Sequence, residues 1–231
     1  MTPRTAPISV LLVDDHAVVR EGYRRLLERA EGIEVAGEAA SAMEAYQAFR
    51  QVDPDVVVMD ISLPDVSGIE AMRRLLLRDP RARVLVFSIH DEPVFADRAF
   101  RAGARGYVTK ASAPDVLVDA VRAVARADTF LSPDIAHGVA LRALRGSDDA
   151  LQSLSDREFE IVRLLAQGRS VREIAELLCL NHKTVANYQW AIRQKLGADT
   201  AVELLRIAAA NGLTTARPAE DGLELPERQR R

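Results

Sequence analysis

The run Val56-Val57-Val58-Met59, closed at once by Asp60 and then by a turn at Pro64, constrains this chain more than any other stretch. It is short, β-branched and apolar at every position, so it has no polar face to offer solvent and reads as a strand buried on both sides. Strands of that kind belong to parallel sheets covered by helices, and open α/β sheets place their chemistry at the carboxyl ends of the strands. Asp60 stands at such an end. Three further runs close in the same way: Ile8 to Val13 ends in Asp14-Asp15, Val84 to Phe87 in Ser88, and Gly106 to Thr109 in Lys110. Laid parallel, they bring three carboxylates, a hydroxyl and an ammonium to one edge.

That set suits phosphoryl chemistry. Two carboxylates can hold a divalent cation while a third attacks phosphorus, and the lysine and hydroxyl can neutralise or hydrogen-bond the phosphoryl oxygens. Between the strands the apolar period changes from continuous to helical. Val18, Val19, Tyr23, Leu26 and Leu27 predict a first helix, and Ile33 to Glu38 a second strand. Helices follow at Ala42 to Phe49, Ile69 to Leu77, about Phe95 to Ala102, and Pro114 to about Ala127. Repeated strand-helix units imply right-handed crossovers, and the expected fold is a flavodoxin-like, five-stranded parallel sheet with helices on both faces. Pro64 and Gly68 predict a shaped loop after Asp60, with Gly68 supplying an unusual backbone angle.

In order and type, Asp14, Asp15, Asp60, Ser88, Tyr107 and Lys110 resemble the receiver domain of response regulators, over roughly the first half of the chain. The resemblance implies that Asp60 is the phosphoacceptor, Ser88 the switch hydroxyl, Tyr107 a switch aromatic that moves inward, and Lys110 the invariant lysine. It also implies Mg2+ held by Asp15, Asp60 and the backbone carbonyl of Ser62, with Asp14 acting through water. Ser62 and His90 resemble the variable positions that set how fast the phosphoryl group is hydrolysed. Read alone, His90 is a solvated loop histidine. Ala111 follows Lys110 where many receivers carry proline, so no cis peptide is expected there.

With 231 residues and 48% hydrophobic content, the chain has room for two small domains. The lone cysteine, Cys179, excludes an internal disulfide and fits a reducing cytoplasm. Neither a bilayer-spanning run nor the apolar core of a signal peptide is present, so a soluble protein inside the cell is expected. From about 128 to 150 the strand-helix alternation stops, and the segment reads as a linker containing a helix from Ile135 to Leu144 and a flexible polar stretch. Residues 1–127 form the receiver, 151–213 a second domain, and 214–231 a polar tail expected to be disordered.

The second domain is all helical. Ser155 and Ser170 cap its first two helices, a tight turn at Leu180-Asn181 follows, and Asn181 caps a third helix that Gly197 ends. This is a helix-turn-helix pattern. Leu-Ser-x-Arg-Glu from Leu154, Glu-Ile-Ala from Glu173, Lys-Thr-Val from Lys183 and Lys-Leu-Gly from Lys195 resemble the LuxR-type output domain of the NarL/FixJ group of response regulators. Net charge is −3, so DNA binding needs a local basic patch; between Cys179 and Ala198 there is no acid, while Lys183, Arg193 and Lys195 are present.

The expected DNA-contacting set is Lys183, Thr184, Val185, Ala186, Asn187, Tyr188, Trp190 and Lys195. Within it, Lys183 and Lys195 meet phosphates, Asn187 suits an adenine edge and Ala186 a thymine methyl. Val185, Ile192 and Leu196 also form the helix's inward stripe. Tyr188 replaces a histidine common in the family, and Trp190 either faces the bases or packs on a neighbouring helix. The last helix, Ala201 to about Asn211, carries enough apolar surface to support dimerisation.

Both halves together imply a phosphorylation-controlled transcriptional regulator of a bacterial two-component system. The implied partners are a sensor histidine kinase, double-stranded DNA and a second copy of the chain once phosphorylated, and RNA polymerase is compatible with that role. Two rival readings are a magnesium-dependent phosphohydrolase working through an aspartyl-phosphate, and a constitutive DNA-binding protein. The first lacks a second carboxylate after Asp60 suited to general acid work.

Overall fold

The computed structural model describes residues 6–64, 66–145, 150–211 and 213. The polar stretch at 146–149 and the tail at 214–231, expected to be flexible, lie outside the described residues. Six parallel strands form one sheet in the order β2-β1-β3-β4-β5-β6, with β1 at Ile8–Val13, β2 at Ile33–Ala39, β3 at Val56–Met59, β4 at Val84–Ser88, β5 at Gly106–Thr109 and β6 at Phe130–Leu131. The crossover helices are α1 (Ala17–Arg29), α2 (Ala42–Val52), α3 (Gly68–Arg78), α4 (Pro93–Arg101) and α5 (Pro114–Ala125).

The expected strand number was five. The sixth strand comes from the segment read as a linker: Phe130 N–H donates to Arg105 O and Ser132 N–H to Tyr107 O, both at 3.0 Å. Helix α6 (Pro133–Arg145) follows and packs on α4, so closely that a Cβ on Gly138 would come within 2.5 Å of Pro93. Residues 128–145 are therefore folded onto the α/β domain. A two-residue strand carries too little periodic signal to be read from sequence.

Alternate residues of each strand feed opposite cores. Val10, Leu12, Val58, Leu85 and Val108 pack with Leu27 of α1 and Leu117 and Val121 of α5. Leu11, Val13, Val57, Met59 and Val86 pack with α2, α3 and α4. Because both faces are apolar, alternation alone does not set the strand register. The polar ends do: a one-residue slip would draw Asp14 or Asp60 into the hydrocarbon interior, at a cost of several kcal/mol.

The helical domain comprises α7 (Asp156–Ala166), α8 (Val171–Leu177), α9 (His182–Leu196) and α10 (Ala201–Ala210). Reciprocal capping boxes start three of them, Ser155 with Glu158, Ser170 with Glu173 and Thr200 with Glu203; Asn181 Oδ1 accepts from Thr184 N–H at 2.7 Å to start α9. Each such cap contributes about 1 kcal/mol. Gly197 ends α9 in the left-handed region at φ 62°.

The two domains are docked. The apolar cluster beneath α2 to α4 continues through Ile135, Leu151 and Leu154 into Phe159, Ile161 and Val162 of α7. Arg98 of α4 donates to Leu151 O and Leu154 O at 3.0 Å and to Asp156 Oδ1 at 2.6 Å, while its guanidinium lies 4.3 Å over the Phe159 ring. Arg73 of α3 takes the other Asp156 oxygen at 2.8 Å.

Candidate functional site

β3 ends by donating Asp60 N–H to Val13 O at 2.9 Å, which sets the phosphoacceptor candidate beside the end of β1. Asp60 and Asp14 are both buried. Lys110, from the end of β5, reaches across β4 to both, with Nζ 2.6 Å from Asp14 Oδ2 and 2.7 Å from Asp60 Oδ2. The remaining Asp60 oxygen accepts from Ser62 N–H at 3.2 Å. Burial raises the Asp60 carboxyl above its ordinary range, and Lys110 only partly offsets that. Burial opposes the Lys110 charge, but Asp60 and Asp14 outweigh it and raise the ammonium above its ordinary value. The lysine therefore stays charged at neutral pH.

The acidic pair fits a divalent cation. Asp14, Asp15 and His16 bring ligand atoms within 4.8 Å of one another. Asp15 Oδ1 is buried with no hydrogen-bond partner, although His16 Nδ1 lies 2.7 Å from it. Hard carboxylate oxygens with spare coordinating capacity are what Mg2+ selects. Gly68 shapes the loop beyond Asp60, for a reason the sequence did not disclose. Its φ is not positive; instead a Cβ would stand 1.9 Å from Asp60 O, so only glycine lets α3 begin that close to the end of β3.

Ser88 is buried, and its Oγ accepts from His90 N–H at 3.2 Å. Tyr107, expected to swing inward on phosphorylation, is already inward and fully buried, its hydroxyl donating to His90 O at 2.8 Å. His90 is 7% exposed, which overturns its reading as a solvated loop histidine. Its ring stacks on Phe95 with centroids 4.1 Å apart, and Nε2 lies 3.4 Å from Ser62 Oγ. Burial lowers its pKa to about 4, so it is neutral at physiological pH. Phe95 in turn meets Phe159 edge-on at 5.2 Å, so the loop beyond Ser88 is in van der Waals continuity with the helical domain. No peptide bond is cis among the described residues, as Ala111 led one to expect.

On α9, Lys183, Ala186 and Asn187 are exposed, and Trp190 is 61% exposed, on the outward side rather than packed on a neighbour. Thr184 Oγ1 is drawn back to Asn181 Oδ1 at 2.9 Å. Two members of the expected contact set need correction. Val185 is fully buried, so its side chain is core and not DNA surface. Lys195 is compensated after all, by Glu158 of α7 at 2.7 Å, an acid invisible to a count along the helix. Tyr188 is half-buried and, with Asp156, Arg157 and Leu178, lines a cleft of about 370 Å³ against Ser62, Leu63 and Arg73.

A doubly wound domain with a buried aspartate-lysine site, joined to a helix-turn-helix domain, defines the class. Residues 10–122 match the response regulator receiver domain, and residues 152–208 match the luxR family of bacterial regulatory proteins. Over 211 residues the chain is 38% identical to the response regulator GacA of Pseudomonas aeruginosa, spanning 90% of this chain and 99% of that protein. A LuxR-family two-component response regulator of known crystal structure, from Aurantimonas sp. SI85-9A1, is 49% identical with a TM-score of 0.59, over 60% of this chain and 99% of that one. RcsB of Salmonella enterica serovar Typhimurium, bound to the promoter rprA in the presence of the phosphomimetic BeF3−, is 26% identical with a TM-score of 0.63, over 88% and 98% of the two chains. The chain belongs to the response regulators that join a receiver to a LuxR-type helix-turn-helix domain. No helix among the described residues is long and apolar enough to cross a membrane.

Proposed function

We propose that this chain is a phosphorylation-controlled, DNA-binding transcriptional regulator that accepts a phosphoryl group on Asp60 from a sensor histidine kinase. One observation carries the reading: a buried aspartate at a strand end, bridged by Lys110 to Asp14, lies in the same chain as a capped, outward-facing α9. In the transfer, an Asp60 oxygen forms the bond to phosphorus as the bond from phosphorus to the donor histidine nitrogen breaks. Mg2+, when bound, would screen the charge of the transferring group. Asp15, Asp60 and the Ser62 carbonyl would hold it, with Asp14 acting through water. Lys110 and the Ser88 hydroxyl then turn to the phosphoryl oxygens, which carry about −1.5 to −2 charges.

That new charge draws Lys110 from its bridge, and it draws the Ser88 hydroxyl, whose Oγ accepts from His90 N–H, to donate to a phosphoryl oxygen, which shifts the backbone at His90 with it. His90 is packed on Phe95 and through it on Phe159, so rearrangement at the site bears on the domain interface. The docked form is then the resting one. A recognition helix in the major groove is flanked by both phosphate backbones, and here the receiver lies along the Tyr188 flank of α9. Switching from mostly docked to mostly free needs about 5.5 kcal/mol of differential stabilisation, to which dimer formation on DNA would contribute. In that free form Lys183 meets phosphate, while Asn187, Ala186 and Trp190 face base edges.

Labelling of the full chain with a small phosphodonor and Mg2+ tests the reading. Asp60→Asn, nearly isosteric, is expected to abolish labelling while leaving the circular dichroism spectrum unchanged. Equal labelling of the two proteins would place the phosphoacceptor elsewhere.

A further inference from the structure

Lys110 leaves the end of β5 at the apex of a tight turn. Thr109 O accepts from Ser112 N–H at 3.1 Å, which puts Lys110 and Ala111 at the two central positions. Ala111 brings no ring to stiffen that turn, and a lysine side chain has four rotatable bonds of its own. Yet Lys110 is aimed accurately enough to meet two carboxylates at once. Something has to hold the turn.

A single carboxylate from the joining segment does. Asp134, in the first turn of α6, accepts from the Thr109 hydroxyl through Oδ2 and from the Ser112 hydroxyl through Oδ1 at 3.1 Å. It thus ties together the first and last residues of the turn whose apex is Lys110. The two hydroxyls are themselves 3.1 Å apart, closing a three-membered network. Thr109 is fully buried, so its hydroxyl must find a partner inside the protein. An acid in the first turn of a helix ordinarily serves that helix's own N-terminus. Asp134 keeps a hydrogen bond from its own backbone N–H, and each of its oxygens is in addition engaged by another element, 22 and 25 residues earlier in the chain.

We infer that Asp134 is a positioning residue for phosphoryl transfer at Asp60, holding the Thr109–Ser112 turn so that Lys110 is directed at the phosphoryl oxygens, and that helix α6 is thereby part of the phosphorylation site. The inference rests on the proposed role of Asp60. Its neighbours support the placement: β6 pins β5 from the outer edge through Ser132 N–H to Tyr107 O, and Lys110 N–H donates to Ser88 O at 2.6 Å on the inner edge. The turn is thus held at its sides by backbone and across its base by Asp134.

The experiment measures the rate of phosphoryl uptake by the full chain from radiolabelled acetyl phosphate with Mg2+. Asp134→Asn and Ser112→Ala are expected to slow uptake about three- to tenfold, the range that loss of one or two net hydrogen bonds allows. Their thermal midpoints should stay within about 4 °C of the wild type. Ser112 is only half-buried, so Ser112→Ala serves if Asp134→Asn folds poorly.

A double-mutant cycle separates positioning from a general structural role. In a Lys110→Ala background, followed over hours so that slow labelling is measurable, Asp134→Asn should add no further loss. Uptake within twofold of wild type in both single variants, or an equal loss with and without Lys110, would overturn the inference. Asp60→Asn serves as the control. If it labels normally, the phosphoacceptor reading itself has failed; if it is silent while the Asp134 and Ser112 variants label at full rate, only the positioning role has.

Discussion

Lys183 and Lys195 look equivalent along the chain, both basic residues on a helix free of acids, but the fold gives them different work. Lys195 donates to Glu158, whose carboxylate also accepts from Ser155 N–H to complete the α7 cap. Burial pushes the Glu158 carboxyl up, but the Lys195 and Ser155 hydrogen bonds outweigh it and hold the pKa below the ordinary glutamate value. A depressed carboxylate contributes stability in full above the unfolded pKa of about 4.5 and loses it as pH falls through the folded value. Lys195→Met is therefore expected to lower stability by about 0.5–1 kcal/mol at pH 7, discounted for the half-exposed lysine, and by progressively less below pH 4.5. Denaturant titrations at pH 7 and pH 3.5 check this, and a gap that widens on acidification would refute it. Lys183→Ala should leave stability unchanged and reduce the salt slope of DNA binding by about one unit.

At the scale of elements, the placement of Asp60 depends on how closely α3 can start behind β3. Gly68 N–H donates to Ile61 O at 2.8 Å, and the glycine's open side faces Asp60 O. A methyl group there cannot be accommodated by rotating a flexible side chain, because the obstacle is backbone. Gly68→Ala is expected to cost about 1–3 kcal/mol, the usual penalty for overpacking, and to displace the Asp60 loop enough to slow phosphoryl uptake. A thermal midpoint and labelling rate equal to wild type would show that α3 can slide instead. The same scale explains β6. The strand is only Phe130–Leu131, yet it covers the outer edge of β5, the strand that carries Tyr107 and precedes Lys110.

For the whole molecule, Arg98 is the hinge pin of domain docking. Its side chain is 10% exposed and that of Asp156 5%, so neither charge has water to fall back on. Removing one partner of such a pair typically costs 3–5 kcal/mol. Arg73 retains its own hold on Asp156, which moderates the loss here. The docking also carries a built-in penalty, since Arg98 Nε is buried without a partner, at about 1–3 kcal/mol. Undocking relieves it. Arg98→Ala is expected to raise DNA affinity of the unphosphorylated chain about tenfold, an effect of about 1.4 kcal/mol, measured by fluorescence anisotropy on a preferred site. Unchanged affinity would mean that the receiver does not obstruct α9.

The candidate aspartate-lysine site was legible in the sequence because buried parallel strands advertise themselves as unbroken apolar runs, and a polar residue that ends such a run has to sit at the edge of the sheet where the strands end. The helix-turn-helix was legible because its caps, Ser155, Ser170, Asn181 and Gly197, act on residues three or four positions away. What only the tertiary structure decided involves partners far apart in sequence: Arg98 with Asp156, Lys195 with Glu158, and Asp134 with Thr109 and Ser112. Charged residues of this kind look in sequence like ordinary solvated surface. They acquire a role only when folding sets them beside a polar group that packing has withdrawn from water, here Asp156, Glu158 and Thr109, and that depends on which elements become neighbours, not on local spacing.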